Sequence, residues 1–212
     1  MLFPSNPTLA FLASGWEGLK VRLTARGVDE SAARAELAPF EDRIRAELGT
    51  IVFGFDDDTM ESVVLGLLRD RGWSLGLAES VTGGLVAGRL TGVPGASEVF
   101  RGAVVSYASE VKFDLLGVSE GPVVIEEAAI EMAEGARKVL RSDVGLALTG
   151  VAGPSEQDGM RPGTLFAAVV LPEGEPDRIR SAHVTMPGDR DMMRQLSVIS
   201  ALDLLRKRLL ES

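Results

Sequence analysis

The chain has 212 residues, 45% hydrophobic and 25% charged, with a formal net charge of −9, no cysteine and one histidine. That length suits one ample α/β domain plus a small appendage. The missing cysteines exclude disulfides, thiolate metal sites and cysteine nucleophiles; the lone His183 excludes a multi-histidine metal site; and no basic patch offers the phosphate neutralisation that nucleic-acid binders depend on.

No apolar run approaches the roughly 18 residues needed to span a bilayer. The opening MLFPSNPTLAFL lacks a basic leader and a small-residue cleavage site after a clean apolar core. A cytoplasmic protein with neither membrane nor nucleic-acid partners is therefore expected. Leu19, Val21 and Leu23 alternate with Lys20, Arg22 and Thr24, the period-2 signature of a half-buried strand. Ala33, Leu37, Phe40, Ile44 and Leu48 then form one apolar helix stripe, interrupted by Pro39, and Thr50–Phe53 suits a second strand. Residues 1–55 thus read as a small α+β unit with little core of its own.

Asp56-Asp57-Asp58 marks the seam. Three carboxylates together could bind a cation, but a solvated helix N-terminus is the better reading, since that end favours negative charge. Asp58-Thr59-Met60-Glu61 has capping-box spacing, the helix after it buries Met60, Val63, Val64, Leu67 and Leu68, and Gly72 can end it. From there strands and helices alternate. Strands are expected at Ser74–Ala78, Arg101–Tyr107, Val144–Leu148, Thr164–Leu171 and Arg178–Met186. Helices are expected from Thr82 to about Leu90, near Glu110–Leu116, at Glu126–Leu140 and at Asp189–Leu210. The pattern predicts an α/β fold: three α/β/α layers around a mostly parallel or mixed sheet. His183, on an alternating strand, reads as a packing or surface residue.

Three polar clusters fall at predicted strand ends, where ligands gather in open α/β sheets. In Glu79-Ser80-Val81-Thr82-Gly83-Gly84, Ser80 could cap the next helix, hold an anion at a helix N-terminus, or act as a nucleophile. The cluster matches neither the dinucleotide fingerprint nor a P-loop. The second cluster is SYASEVK, with Tyr107 and Lys112. With no cysteine and hardly any histidine, a lysine of lowered pKa is the available base, although a helix lysine is commonly a solvated one. The third is Thr149-Gly150-Val151-Ala152-Gly153-Pro154, leading into a polar loop up to Gly163-Thr164.

Together, AESVTGGLVAGRLTGVPGASEVFRGAVVSYASEVKFDLLGV and the later EMAEGAR, LTGVAGP, RPGT and MPGDRDMMR resemble the CinA C-terminal domain family. Its pattern runs AESCTGG, VPGSS, VxYSNxxK, LLGV. The resemblance covers about residues 56–212, and residues 1–55 resemble the KH-like linker domain that precedes it in full-length CinA proteins. It implies a metal-independent, cofactor-free amidase that converts nicotinamide mononucleotide to nicotinate mononucleotide and ammonia. The implied catalytic residues are Ser80 as nucleophile, Lys112 as general base, Tyr107 to orient or relay the proton, and Ser97 to assist. Glu79 joins the implied substrate-binding set. Amides at Thr82, Gly83 and Gly84 would serve the oxyanion or phosphate, and Thr149, Gly150 and Gly153 would line the nucleotide pocket. Arg190 would pair with the phosphate or brace the site, unless it forms a first-turn salt bridge with Asp189 or Asp191. A homodimer is implied, and the family's large molybdopterin-binding-like domain would be a separate or truncated part.

The chain departs from the family pattern in several places. Val81 replaces a cysteine, Ala96 and Ala108 replace serines, and Ile125 stands where a helix-capping serine is usual. The segment SEGPVVIEEAA is several residues short, and the loop SEQDGMRPGT lacks one residue before Gly163. The two altered segments change the pocket rim and, with the missing partner domain, motivate an alternative reading, a nucleotide-sensing or assembly module without turnover. A third reading, RNA binding, rests on Gly15-Trp16-Glu17-Gly18, where Glu17 would repel phosphate.

Overall fold

The structure is a computed structural model that describes residues 6–13 and 18–211. They fall into two compact units, Met1–Phe55 and Asp56–Ser212.

In the first unit, β1 (Thr8–Ala13) pairs antiparallel with β2 (Leu19–Thr24) and α1 (Glu30–Leu48) follows. No period-2 pattern marks β1, whose TLAFLA run is apolar on both faces. Asp29 caps α1, its carboxylate accepting from Ala32 N–H at 2.8 Å. The helix runs through Pro39. Its apolar stripe is only half covered, and no α1 residue is fully buried. The strand expected at Thr50–Phe53 does not form. Gly49, at φ 52°, ends α1, and the chain tightens into a 3-10 turn at Gly49–Ile51. The GxxG reading lies outside the described residues, since 15–17 are not among them.

In the second unit, α2 (Met60–Arg71) is capped by Thr59 rather than Asp58. Thr59 Oγ1 accepts from Ser62 N–H and Ser62 Oγ accepts from Thr59 N–H, so the capping box uses Ser62 and frees Glu61. Glu61 is buried and pairs with Arg89 at 2.5 Å. Gly72 ends α2 in the left-handed conformation, as expected. Then follow β3 (Leu75–Glu79), α3 (Leu85–Thr91), β4 (Phe100–Val105), α4 (Ser109–Leu116), α5 (Glu126–Leu140), β5 (Val144–Gly150), β6 (Thr164–Val170), β7 (Ile179–Thr185) and α6 (Arg190–Glu211).

The sheet order is β4-β3-β5-β6-β7, with β4, β3 and β5 parallel and β6 and β7 antiparallel. Helices cover both faces: α5, with α4 behind it, lies on one, and α6, with α2 and α3, on the other. The α5 face is built from small residues. Ala128, Ala129, Ala133 and Ala136 press onto Ala78, Ala147 and Ala168. The approach is so close that a Cβ on Gly145 would meet Ala133 O at 2.1 Å. On the other face α6 inserts Met193, Val198, Ala201, Leu202 and Leu205. His183 stacks on Phe166 with ring centroids 4.3 Å apart, a cross-strand packing contact. No helix of the described residues is long and apolar enough to cross a membrane.

This topology decides where a site can form. From β3 the chain leaves through α3 on one face; from β4 it leaves through α4 and α5 on the other. The segments that leave the carboxyl ends of β3 and β4 therefore part to opposite faces and leave a crevice, the switch point at which doubly wound sheets bind ligands.

Candidate active site

A cavity of about 320 Å³ opens at that crevice, lined by Ser80 and Val81 after β3, Tyr107 after β4, Thr149 to Gln157 at and beyond the end of β5 (without Asp158), Val124 and Arg190. Of the residues singled out from the sequence, Ser80, Tyr107, Thr149, Gly150, Gly153 and Arg190 are brought together here.

Ser80 is buried, and its hydroxyl makes no hydrogen bond among the described residues. It does not cap the helix. The cap is Glu79, fully buried, which spends both carboxylate oxygens on the start of α3. Glu79 Oε2 accepts from Thr82 Oγ1 at 2.7 Å, Gly84 N–H at 3.0 Å and Val86 N–H at 3.1 Å, while Oε1 accepts from Ala87 N–H at 2.8 Å. A carboxylate at the dipole's positive end with four donors is a strong local staple. Glu79 does not line the cavity, and its carboxylate is turned to the start of its own helix. The helix also begins at Leu85, three residues later than predicted, after a turn in which Gly83 and Gly84 adopt φ 62° and 95°.

The same bonds revise the donor set. Gly83 N–H donates to Ser80 O at 3.1 Å and Gly84 N–H to Glu79, so neither glycine amide is available to a ligand. The amides of Val81 and Thr82, directly after Ser80, make no hydrogen bond among the described residues. Val81 stands where the resemblance has a cysteine, and its side chain gave no signal of a backbone role. The Thr82 carbonyl accepts from Arg194 at 2.8 Å, so α6 holds this turn from the second face. Arg194 lies in the MMR block, but helix spacing alone could not show what it reaches.

Lys112 is 1% exposed, among the most buried large side chains of the chain. Its Nζ donates to Ser106 O at 2.7 Å and, more weakly, to Tyr107 O at 3.5 Å. Ser106 N–H in turn donates to Glu79 O at 2.8 Å, so the amine is bonded at the carboxyl end of β4, next to the strand end that Ser80 follows. No hydrogen bond joins Ser80 Oγ to Lys112 Nζ among the described residues, and Lys112 does not line the cavity. Burial pushes the Lys112 pKa below its ordinary value, and the carboxylates of Asp158 and Glu110 partly oppose that shift. Ser106 Oγ is buried without a partner.

Tyr107 is exposed, and its hydroxyl accepts from Arg190 Nη2 at 2.6 Å. Arg190 Nη1 donates to Gly153 O at 2.8 Å. Arg190 thus bridges the loops after β4 and β5, and it forms no salt bridge with Asp189 or Asp191. The Thr149 hydroxyl is turned to structure as well, donating to Val123 O at 2.7 Å.

Ser97 is not brought to the cavity. It is exposed, in the 3-10 turn Ala96–Glu98 that enters β4, and β4 begins opposite Leu75, the first residue of β3. Ser80 follows the last residue of β3. Five residues at about 3.3 Å each separate the two ends of the sheet. Among the described residues no group of three or more His, Cys, Asp or Glu side chains could hold a metal ion.

Comparison with known proteins bears on the family and the fold. The sequence profile of the CinA C-terminal domain matches residues 57–209, and that of the damage-inducible protein CinA KH domain matches residues 1–54. A CinA-like protein of Frankia casuarinae is 50% identical over 209 residues, covering 96% of this chain and 47% of that protein. A CinA-like protein of Gloeobacter violaceus is 42% identical over 210 residues, covering 97% and 49%. The chain spans about half the length of these curated relatives. Among solved structures, a CinA superfamily protein of Klebsiella pneumoniae superposes with a TM-score of 0.68 at 27% identity, covering 72% of this chain and 97% of that one. A competence/damage inducible protein of Agrobacterium tumefaciens gives 0.65 at 29% identity, covering 71% and 93%.

Proposed function

Because this chain belongs to the CinA family, we propose that its cavity hydrolyses the carboxamide of nicotinamide mononucleotide, giving nicotinate mononucleotide and ammonia. The observation that carries this reading is the unbonded hydroxyl of Ser80 at the cavity wall, beside a strand end that buries the amine of Lys112. Burial favours the neutral amine, the form that can take a proton.

Ser80 Oγ attacks the carboxamide carbon while its proton passes to Lys112. The tetrahedral oxyanion accepts from the amides of Val81 and Thr82. The C–N bond breaks, the proton returns to the leaving nitrogen, and ammonia departs. Water then cleaves the Ser80 ester with Lys112 again as base. Val81, Val124 and Val151 give the pyridine ring an apolar wall. Arg190 is the one cationic side chain lining the cavity among the described residues, and its bonds to Tyr107 and Gly153 brace the rim that faces the nucleotide. Tyr107 orients that brace. A homodimer, and a molybdopterin-binding-like domain supplied by the rest of a longer chain or by a second one, belong to the same proposal.

A second reading, nucleotide binding without turnover, is favoured by the missing Ser80–Lys112 hydrogen bond. Catalytic hydrogen bonds often tighten only once substrate is present. Incubating the purified chain with nicotinamide mononucleotide and measuring ammonia separates the two. Steady release selects the amidase. Saturable binding with no ammonia, with and without EDTA, selects the binding module.

A further inference from the structure

The two rim segments that depart most from the family pattern, the short run before α5 and the loop after Pro154, meet at one side chain. Asp158 Oδ2 accepts from Val123 N–H at 2.7 Å and from Val124 N–H at 3.0 Å. The other side of the same backbone is held by β5, through the Thr149 hydroxyl on Val123 O at 2.7 Å. Val123 and Val124 are 2% and 1% exposed, whereas Asp158 comes from an exposed loop. Ile125, the residue that opens α5, supplies no side-chain cap. The backbone just ahead of that helix is therefore stitched from outside, between a strand end and a loop carboxylate.

The loop is shaped to deliver that carboxylate. Gln157 and Met160 exchange backbone hydrogen bonds of 2.8 and 3.1 Å, closing a tight turn with Asp158 at φ 52°. Aspartate tolerates that left-handed conformation better than most residues. Both stitched pieces line the same cavity, Val124 from one and Pro154 to Gln157 from the other. We infer that Asp158 is a positioning residue: by tying the 155–160 loop to Val123 and Val124 it fixes two parts of the cavity lining relative to each other and so sets how tightly the nucleotide is held. This inference rests on the cavity being the nicotinamide mononucleotide site.

The test uses the full chain with two substitutions. Asp158→Gly removes the carboxylate while suiting the positive φ, and Asp158→Asn keeps one acceptor oxygen in the same place. Both remove the same charge near Lys112, so a difference between them reports the tie and not the charge. For Asp158→Gly we expect KM for nicotinamide mononucleotide to rise about tenfold or more with kcat within about threefold. Amide exchange should accelerate in 119–125 and 155–160 together, with the rest of residues 56–212 unchanged. Asp158→Asn should restore both to within about threefold of wild type. The inference is overturned if Asp158→Gly matches wild type, if Asp158→Asn is as impaired as Asp158→Gly, or if exchange quickens across the whole unit. Should the wild-type chain release no ammonia, the proposed activity fails, and the exchange comparison of the three proteins still decides the tie.

Discussion

The amine of Lys112 lies 2.7 Å from the carbonyl oxygen of Ser106, whose own N–H donates to Glu79 O immediately before Ser80. A buried amine favours its neutral form, and the carboxylates facing it, Asp158 and Glu110, only partly restore the charge. If Lys112 is the base, kcat/KM rises with pH and levels off at an apparent pKa below the ordinary lysine value of about 10.4. A profile flat from about pH 6 to 10 would remove Lys112 from that role. Stability carries the same sign. The unfolded chain holds the Lys112 proton to higher pH than the folded one, so the cost of the buried charge is present below the folded pKa and fades as pH climbs towards the unfolded value. Relative to wild type, Lys112→Met should be most stable near neutral pH and lose that advantage in alkali, as read from urea midpoints across pH.

Ser80 and Glu79 are adjacent, both are buried, and they should separate cleanly. Ser80→Ala removes the proposed nucleophile but no hydrogen bond, so turnover should fall by about 1000-fold or more while stability stays within about 1 kcal/mol. Glu79→Gln turns a carboxylate that accepts four hydrogen bonds into an amide whose NH₂ faces some of those donors, at a cost of about 3 kcal/mol. Equal loss of stability in the two variants would return Ser80 to a capping role and contradict the geometry.

Ser97 offers the opposite test. It lies on the exposed turn entering β4, at the far end of β3 from Ser80. Ser97→Ala should leave kcat/KM within about twofold, as for an ordinary surface change. A large drop in kcat with unchanged folding would mean that another copy of the chain carries Ser97 to a cavity, which sedimentation and mixed-variant assays would then show.

Most of the sheet and its helices were legible because their signals are local. Apolar runs marked β5 and β6, the stripe of Asp189–Leu210 marked α6, and Gly72 closed α2 where left-handed geometry needs it. The polar clusters at strand ends did assemble a cavity, since topology brings carboxyl ends together. What sequence could not show was where each acceptor and donor is spent. Glu79 looked available to a ligand, yet the amides at the start of α3 claim it; the glycines looked like amide donors, yet Ser80 O and Glu79 occupy them. The strand expected at Thr50–Phe53 did not form: Gly49 ends α1 at φ 52° and the chain tightens into the Gly49–Ile51 turn instead. Asp158 carried no motif at all; its role follows from a contact across 34 residues.

Tyr107 and Arg190 allow a last discrimination, between proton relay and brace. The phenol accepts from Arg190 at 2.6 Å, and Arg190 reaches on to Gly153 O, whereas Lys112 meets only the backbone of Tyr107. A relay would need the phenol to exchange protons with the lysine, yet Lys112 Nζ reaches the Tyr107 carbonyl while the phenol oxygen is held by Arg190. Tyr107→Phe should therefore lower kcat by less than about tenfold, with no shift in the pH profile. Arg190→Ala removes both tethers and the cavity's cationic side chain, and it should raise KM by about tenfold or more. Arg190→Lys should recover little of that loss, because one ammonium cannot span the two acceptors as the planar fork does. If Tyr107→Phe cuts kcat a thousandfold and moves the pH limb, the phenol belongs in the proton path and the brace is secondary.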